Sequence, residues 1–170
     1  RSLLAAAAAS TETGLPVYVH TYPWNRAGLE AIDLLLERGV PARRICVCHL
    51  DVTFDEEYIL RALDRGVYVE FDNLGKEFYF EAADGAFAGG PFETDVSRAG
   101  MLKKLVERGY AGQLLLANDL CLKASLRKYG GWGYDHLFTN FAPMMRMEGV
   151  PGREIERLIR LNPSAFLFEG

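Results

Sequence analysis

Cysteine is scarce in this 170-residue chain: Cys46, Cys48 and Cys121 are odd in number and too few to frame a disulfide-rich domain. None of them forms a CxxC pair, so the common thiol spacing of a structural zinc site is excluded. They read as the reduced thiols of a cytoplasmic protein. Long apolar runs are missing as well. Nothing approaches the roughly 20 residues that span a bilayer, and no membrane partner is expected. Leu3 to Ala9, behind Arg1, is short and Ala-rich and runs into Ser10-Thr11-Glu12-Thr13-Gly14, which reads as a helix end, not a signal peptide. Basic clusters are absent too. With 19 Lys and Arg against 23 Asp and Glu, a net charge of −4, there is no positive stripe for a phosphate backbone, and nucleic acid is not an expected partner.

What is present is ordinary globular composition, 49% hydrophobic and 25% charged, enough to bury one core across residues 1–170 as a single domain. Four segments repeat one punctuation before an apolar run: Glu12-Thr-Gly14, Glu37-Arg-Gly39, Asp64-Arg-Gly66 and Glu107-Arg-Gly109. Gly suits the left-handed residue after a helix, so each marks a helix stop. Leu29, Ile32, Leu35 and Leu36 recur at helical spacing ahead of the second stop, Tyr58, Ile59, Leu60 and Leu63 ahead of the third, and Met101, Leu102, Leu105 and Val106 ahead of the fourth. The runs after them are continuously apolar, as in parallel strands covered on both faces. The expected order is helix, strand 16–20, helix 27–38, strand 45–49, helix 55–65, strand 67–71, helix 95–108, strand 113–118, then helices. A closed (β/α)8 TIM barrel needs about 250 residues. The expected α/β fold is therefore half a barrel with four parallel strands alternating with helices, an open four-stranded sheet being the alternative.

Three of the apolar runs end in a residue able to hold a divalent metal: Pro16-Val-Tyr-Val-His20, Ile45-Cys-Val-Cys-His49 and Gln113-Leu-Leu-Leu-Ala-Asn-Asp119. Barrels build active sites at the carboxyl ends of their strands. Imidazole and carboxylate together form the ligand mix of Zn²⁺-class hydrolytic centres. A single strand-end His is commonly structural and a single Asp commonly a helix cap; three at one edge, in a chain with only three histidines, point to a metal-dependent hydrolase. Asp119 could both ligate and take a proton from the attacking water. Asp51 could orient an imidazole or a substrate hydroxyl, or start a helix. Lys76 and Lys123, in loops after the third and fourth strands, could hold a substrate carboxylate or phosphate, or be solvated. His136 is read as a structural residue or one supporting the ligands. Cys46 and Cys48 are expected to pack as small apolar residues beneath helices, not to bind metal. The irregular stretch 74–94 is read as a lid or substrate loop, or as an insertion folded over a helix. Gly130-Gly-Trp-Gly-Tyr134 lacks dinucleotide-loop spacing and reads as an aromatic pocket wall or a turn.

The segments Thr13-Gly-Leu-Pro-Val-Tyr-Val-His20, Cys48-His49-Leu-Asp51, Phe71-Asp-Asn-Leu-Gly-Lys76, Asn118-Asp119, Gly130-Gly-Trp-Gly-Tyr-Asp135 and Asn162-Pro-Ser-Ala-Phe166 resemble, in order and over nearly the whole chain, the phosphotriesterase family of the amidohydrolase superfamily. The likeness is nearer to the phosphotriesterase homology proteins and related lactonases than to the paraoxon-degrading enzymes. It implies a (β/α)8 barrel with two divalent metals, usually Zn²⁺, bridged by hydroxide. His20 and His49 match the fifth- and sixth-strand ligands of the more exposed metal. Asp119 matches the eighth-strand ligand of the buried metal and the proton acceptor. The implied substrate is a small-molecule lactone, ester or phosphoester attacked by that hydroxide.

Departures from the family pattern are informative. The first-strand His-x-His and the bridging carboxylated Lys or Glu are expected before Arg1, so the chain resembles the C-terminal half of such an enzyme. Val52 stands where the paraoxon-degrading enzymes carry a second acid. Leu122 and Ser125 stand where relatives acting on phosphorylated sugar lactones show Arg and Tyr, with Lys123 as a substitute. Half a barrel would leave strand edges and an inner face uncovered, so association, as in a homodimer, is expected. The alternative from another class is a noncatalytic barrel half that binds a partner or one weak metal.

Overall fold

Each helix stop turns where the glycine spacing places it, with φ of 73°, 85°, 80° and 91° at Gly14, Gly39, Gly66 and Gly109. The computed structural model describes residues 1–80 and 90–169. Helix α1 (Ser2–Thr13) leads to β1 (Val17–Val19), α2 (Ala27–Glu37), β2 (Ile45–Val47), α3 (Glu56–Leu63) and β3 (Tyr68–Phe71). A short antiparallel ribbon of β4 (Tyr79–Phe80) and β5 (Gly90–Pro91) follows, then α4 (Asp95–Glu107) and β6 (Leu114–Leu116). The chain ends in α5 (Ala142–Met147), α6 (Gly152–Glu156) and α7 (Asn162–Phe168), with π-helical turns leading into α5 and α7. The ribbon interrupts the stretch read as one irregular loop, whose centre, 81–89, lies outside the described residues.

β1, β2, β3 and β6 form one sheet in that order, every pair parallel. Side chains alternate across a strand, and here the two faces differ. Val17, Val19, Ile45, Val47, Val69, Phe71, Leu114 and Leu116 join α2 (Ile32, Leu35), α3 (Ile59, Leu63) and α4 (Leu102, Leu105) in the main core. The other face carries Cys46, Tyr68 and Leu115 around Phe166 of α7, whose ring lies 5.0 Å from those of both Tyr18 and Tyr68. An open doubly wound sheet would take helical layers on both faces. Here α2, α3 and α4 layer one face while the other is met by Phe166 of α7, and strands that neighbour in chain order with such a layer form half a (β/α)8 barrel rather than an open doubly wound sheet. It also corrects the placement of Cys46: the thiol is buried, but on the inner face, away from the α2–α4 layer.

The strands are shorter at their carboxyl ends than the apolar runs suggest, because His20, His49 and Asp119 lie beyond the hydrogen-bonded ladder. Local chemistry fixes the helices that follow. Asp55 caps α3 by accepting from the Tyr58 amide (3.1 Å), and Thr94 and Ser97 form a capping box on α4. Asn162 ties the last helix to β6: its Nδ2 donates to the carbonyls of Ala111 and Leu114, both at 2.7 Å. Among the described residues no helix is long and apolar enough to cross a membrane.

Candidate metal and substrate site

Parallel pairing puts all four strand ends on one edge, and each is followed by a polar residue: His20, His49, Asp72 and Asp119. The rings of His20 and His49 meet edge to face with centroids 4.4 Å apart. Both histidines and Asp119 line one cavity of about 200 Å³ with Asn73 and Lys76, walled by Pro23, Val52, Phe78, Phe92, Cys121 and Leu122. His49 (φ 67°) and Asp119 (φ 39°) are the non-glycine residues held at positive φ among those described. Such backbone costs about 1–3 kcal/mol and persists where the surroundings over-determine it, typically at functional sites.

His49 is held from behind. Its Nδ1 lies 2.9 Å from Asp72 Oδ1, and its backbone amide donates to Asp72 Oδ2 at 3.2 Å. With Asp72 ionised, Nδ1–H donates to it and Nε2 presents a lone pair to the cavity. Burial pushes the His49 imidazole below its ordinary value, which favours the neutral, ligating form. Burial pushes the Asp72 carboxyl well up, reinforced by the charges of Asp51, Glu70 and Asp119.

Asp72 is the end of a buried polar chain. Asn73 Nδ2 donates to Asp72 Oδ1 (2.7 Å) and to Asp51 Oδ1 (2.9 Å), the Asn73 amide donates to Asp51 Oδ2 (2.9 Å), and Arg98 Nε pairs with Asp51 Oδ2 at 3.0 Å. Arg98 also donates to Asp95 Oδ1 (2.9 Å) and to the Lys76 carbonyl (3.1 Å). Asp95 in turn accepts from the Gly75 amide at 2.9 Å and meets His136 Nε2 at 2.6 Å. Gly75 sits at φ 85°, and a Cβ there would come within 2.6 Å of the Trp132 indole nitrogen. The turn can therefore only be glycine, and it aims the buried Lys76 at Asp119, whose Oδ2 pairs with Nζ.

Two expected site residues are placed differently. Asp51 does not touch an imidazole; it is fully buried between Asn73 and Arg98, and Asp72 orients His49 instead. Lys123 is exposed on a 3-10 turn, its Nζ 4.9 Å from the centre of the Tyr129 ring, and is not among the cavity-lining residues. His136 is structural, between Asp95 and Asn140. Trp132 packs against Phe78 and His136, behind the wall rather than on it. Asp72 was legible by the signal used for the other three, since it directly follows the apolar run 67–71.

The imidazoles of His20 and His49 with the exposed carboxyl group of Asp119 are a donor set that fits divalent metals. Among the described residues, the group of ligand atoms that all lie within 4.8 Å of one another is a different one, Cys46, Cys48 and Glu70. A spread-out His20, His49 and Asp119 set suits two ions rather than one, because metals in binuclear hydrolases stand about 3.5–4 Å apart.

Sheet and edge define the class first: half of a (β/α)8 barrel with ligand-type side chains at its strand ends. A family model described as the phosphotriesterase family matches residues 1–167, and the chain belongs to that family. It is 35% identical over 163 residues to the phosphotriesterase homology protein of Escherichia coli (strain K12), covering 96% of this chain and 51% of that protein. A crystal structure of the protein of that name from Escherichia coli, complexed with phosphate in its active site, aligns with a TM-score of 0.83 at 33% identity, covering 96% and 52% of the two chains. N-acetyltaurine hydrolase of Pongo abelii is 32% identical over 169 residues, covering 97% of this chain and 47% of that protein. A mutant phosphotriesterase-like lactonase of Deinococcus radiodurans aligns with a TM-score of 0.77 at 27% identity, covering 97% and 51%. The chain thus spans about half the length of the curated relatives it matches.

Proposed function

We propose that this chain carries one side of the active site of a metal-dependent hydrolase that cleaves a lactone, ester or phosphoester bond in a small molecule. The observation that supports it is the edge itself, where His20, His49 and Asp119 share one cavity and the backbone of two of them is held in a strained conformation. Relatives named as a lactonase and as an N-acetyltaurine hydrolase support the reaction class. His20 and His49 would hold one divalent cation, which we propose to be Zn²⁺, and Asp119 a second. Bound there, the cations supply Lewis-acid polarisation of the scissile carbonyl or phosphoryl oxygen and acidify water.

The chain's own residues do the rest. Asp72 fixes the His49 ring so that Nε2 faces the cavity. Lys76 steadies Asp119 through Oδ2, which leaves Oδ1 as the acceptor of the proton lost by the attacking water. Pro23, Val52, Phe78, Phe92 and Leu122 exclude water and receive the apolar part of the substrate. We assign the protein to the cytoplasm, a reading supported by three free thiols. The test is hydrolysis by the full-length protein of a panel of lactones, aryl esters and N-acyl amides, before and after chelator treatment and Zn²⁺ return. Activity lost and regained is the expected result; full activity in metal-free protein refutes the proposal.

A further inference from the structure

We propose that Cys46, Cys48 and Glu70 form a second metal site, for a thiophilic cation of the Zn²⁺ or Cd²⁺ class, on the inner face of the sheet beneath His49. Cys46 and Cys48 are two apart on one strand line and share a face. The β2–β3 register pairs Val47 with Val69, so the next residues along, Cys48 and Glu70, are neighbours on that same face. The two Sγ atoms and a Glu70 oxygen all lie within 4.8 Å of one another. Tetrahedral ligation at about 2.3 Å to sulfur and about 2.0–2.2 Å to oxygen separates ligand atoms by roughly 3.5–3.8 Å, which small side-chain rotations reach from here.

The surroundings lack a cation. The groups facing Glu70 are Cys48, Asp72, Asp51 and His49, and among the described residues no Lys or Arg forms an ion pair with it. Glu70 shares hydrogen bonds with Cys48 and Asp72 rather than with a base, so a cation bound here would take the place of the protons that otherwise neutralise the group. Access exists: a cavity of about 360 Å³ is lined by Cys48 and Glu70 together with Tyr18, Ala117 and the strand-end residues, and leaves room for water as a fourth ligand. Two thiolates and one carboxylate select a soft or borderline ion over Mg²⁺ or Ca²⁺. The site reverses the packing role expected of these cysteines from sequence, and it shares no ligand with His20, His49 and Asp119.

Sulfur gives the test its specificity, because thiolate-bound Cd²⁺ has an ultraviolet charge-transfer band that imidazole and carboxylate sites do not produce. Full-length protein carrying Cys121→Ser, stripped of metal, is titrated with Cd²⁺ alone, with circular dichroism as the check of folding. One thiolate-bound equivalent is expected. The band should vanish in Cys46→Ala and in Cys48→Ala, with serine replacing alanine if either variant does not fold. Affinity should fall at least tenfold in Glu70→Gln and stay unchanged in the double variant His20→Ala/His49→Ala. No band, a band that survives either cysteine substitution, undiminished affinity in Glu70→Gln, or a band lost with the histidines overturns the proposal. Loss of hydrolysis alone leaves the band in place, so the two readings fail separately.

Discussion

Asp72→Asn separates what Asp72 does for His49 from what it does for the fold. The carboxyl accepts from the His49 amide at 3.2 Å and from Asn73 Nδ2 at 2.7 Å, and meets His49 Nδ1 at 2.9 Å. A cation on Nε2 favours the ionised Asp72 that accepts from Nδ1–H, whereas an amide in its place can donate to Nδ1, which moves the ring proton to Nε2 and removes the lone pair a metal needs. Loss of such support costs 10–100-fold in metal affinity or activity, about 1.4–2.7 kcal/mol. Stability should move the other way. Burial, with the charges of Asp51, Glu70 and Asp119, raises the folded value of this acid well above its ordinary 3.8. The folded state then keeps a proton that the unfolded state releases, so stability is greatest below that ordinary value and falls as pH rises through the folded one. A neutral amide removes that loss. The amide gives up one of the two acceptors that the His49 amide and Asn73 Nδ2 use, a loss that does not depend on pH, so the melting temperature of metal-free Asp72→Asn relative to wild type should rise progressively from pH 4 towards pH 8. Calorimetry across that range, with metal affinity measured by chelator competition, checks both halves. Unchanged metal affinity refutes the assigned tautomer, and a difference in melting temperature that does not change with pH refutes the electrostatic argument.

Asp119→Asn in the full-length protein should lower hydrolysis by at least about 100-fold without altering the circular dichroism, since the amide ligates poorly and accepts no proton; normal turnover on the lactone panel would remove Asp119 from the mechanism. His20→Ala, at an exposed position, should change stability by no more than about 0.5 kcal/mol while lowering bound metal measured by mass spectrometry, and full metal content would exclude His20 as a ligand. Arg98→Met strands the buried carboxylates of Asp51 and Asp95 and should cost about 3–5 kcal/mol in urea unfolding; a loss below about 1 kcal/mol would mean those acids find other partners. We propose that the 170-residue chain on its own self-associates and hydrolyses poorly, because Phe166 of α7 covers the inner face only in part and leaves Tyr18 half-exposed. Light scattering that reports a monomer with a cooperative melt would contradict this.

The elements were legible because they obey local rules. Four Glu/Asp-x-Gly stops and continuous apolar runs give helix ends and parallel strands without tertiary information, and neighbouring strand order with one-sided helices then completes the half-barrel. The shared edge of His20, His49 and Asp119 was legible for the same reason: a polar residue after a buried run has one edge to occupy. Asp51 takes neither of its two expected places, beside an imidazole or at a helix start, because following His49 by two means the same face only in a continuous strand. The positive φ at His49 breaks that alternation, and the chain turns Asp51 towards α4. No local pattern encodes such a break. Lys123 takes the solvated one of its two readings, on an exposed 3-10 turn, and the β4–β5 ribbon was missed because two-residue strands carry no periodicity.

Arg98 is the residue that sequence reasoning could least have found, and it does most to join the site into one object. In a helix pattern an arginine reads as solvated, yet this one is fully buried, and its guanidinium reaches three separate segments. Through Asp51 and Asn73 it backs Asp72, and so His49. Through Asp95 it backs the Gly75 amide, and through the Lys76 carbonyl it holds the backbone whose side chain meets Asp119. The supports behind His49 and Asp119 therefore converge on one buried cation on α4. Hydrophobic packing alone could not hold two strained backbone conformations in register, because it is non-directional. A satisfied buried network is directional, and its partial loss leaves charges uncompensated. Disturbing Arg98 should consequently displace the His49 and Asp119 arms together, whereas disturbing Asp72 should displace His49 alone.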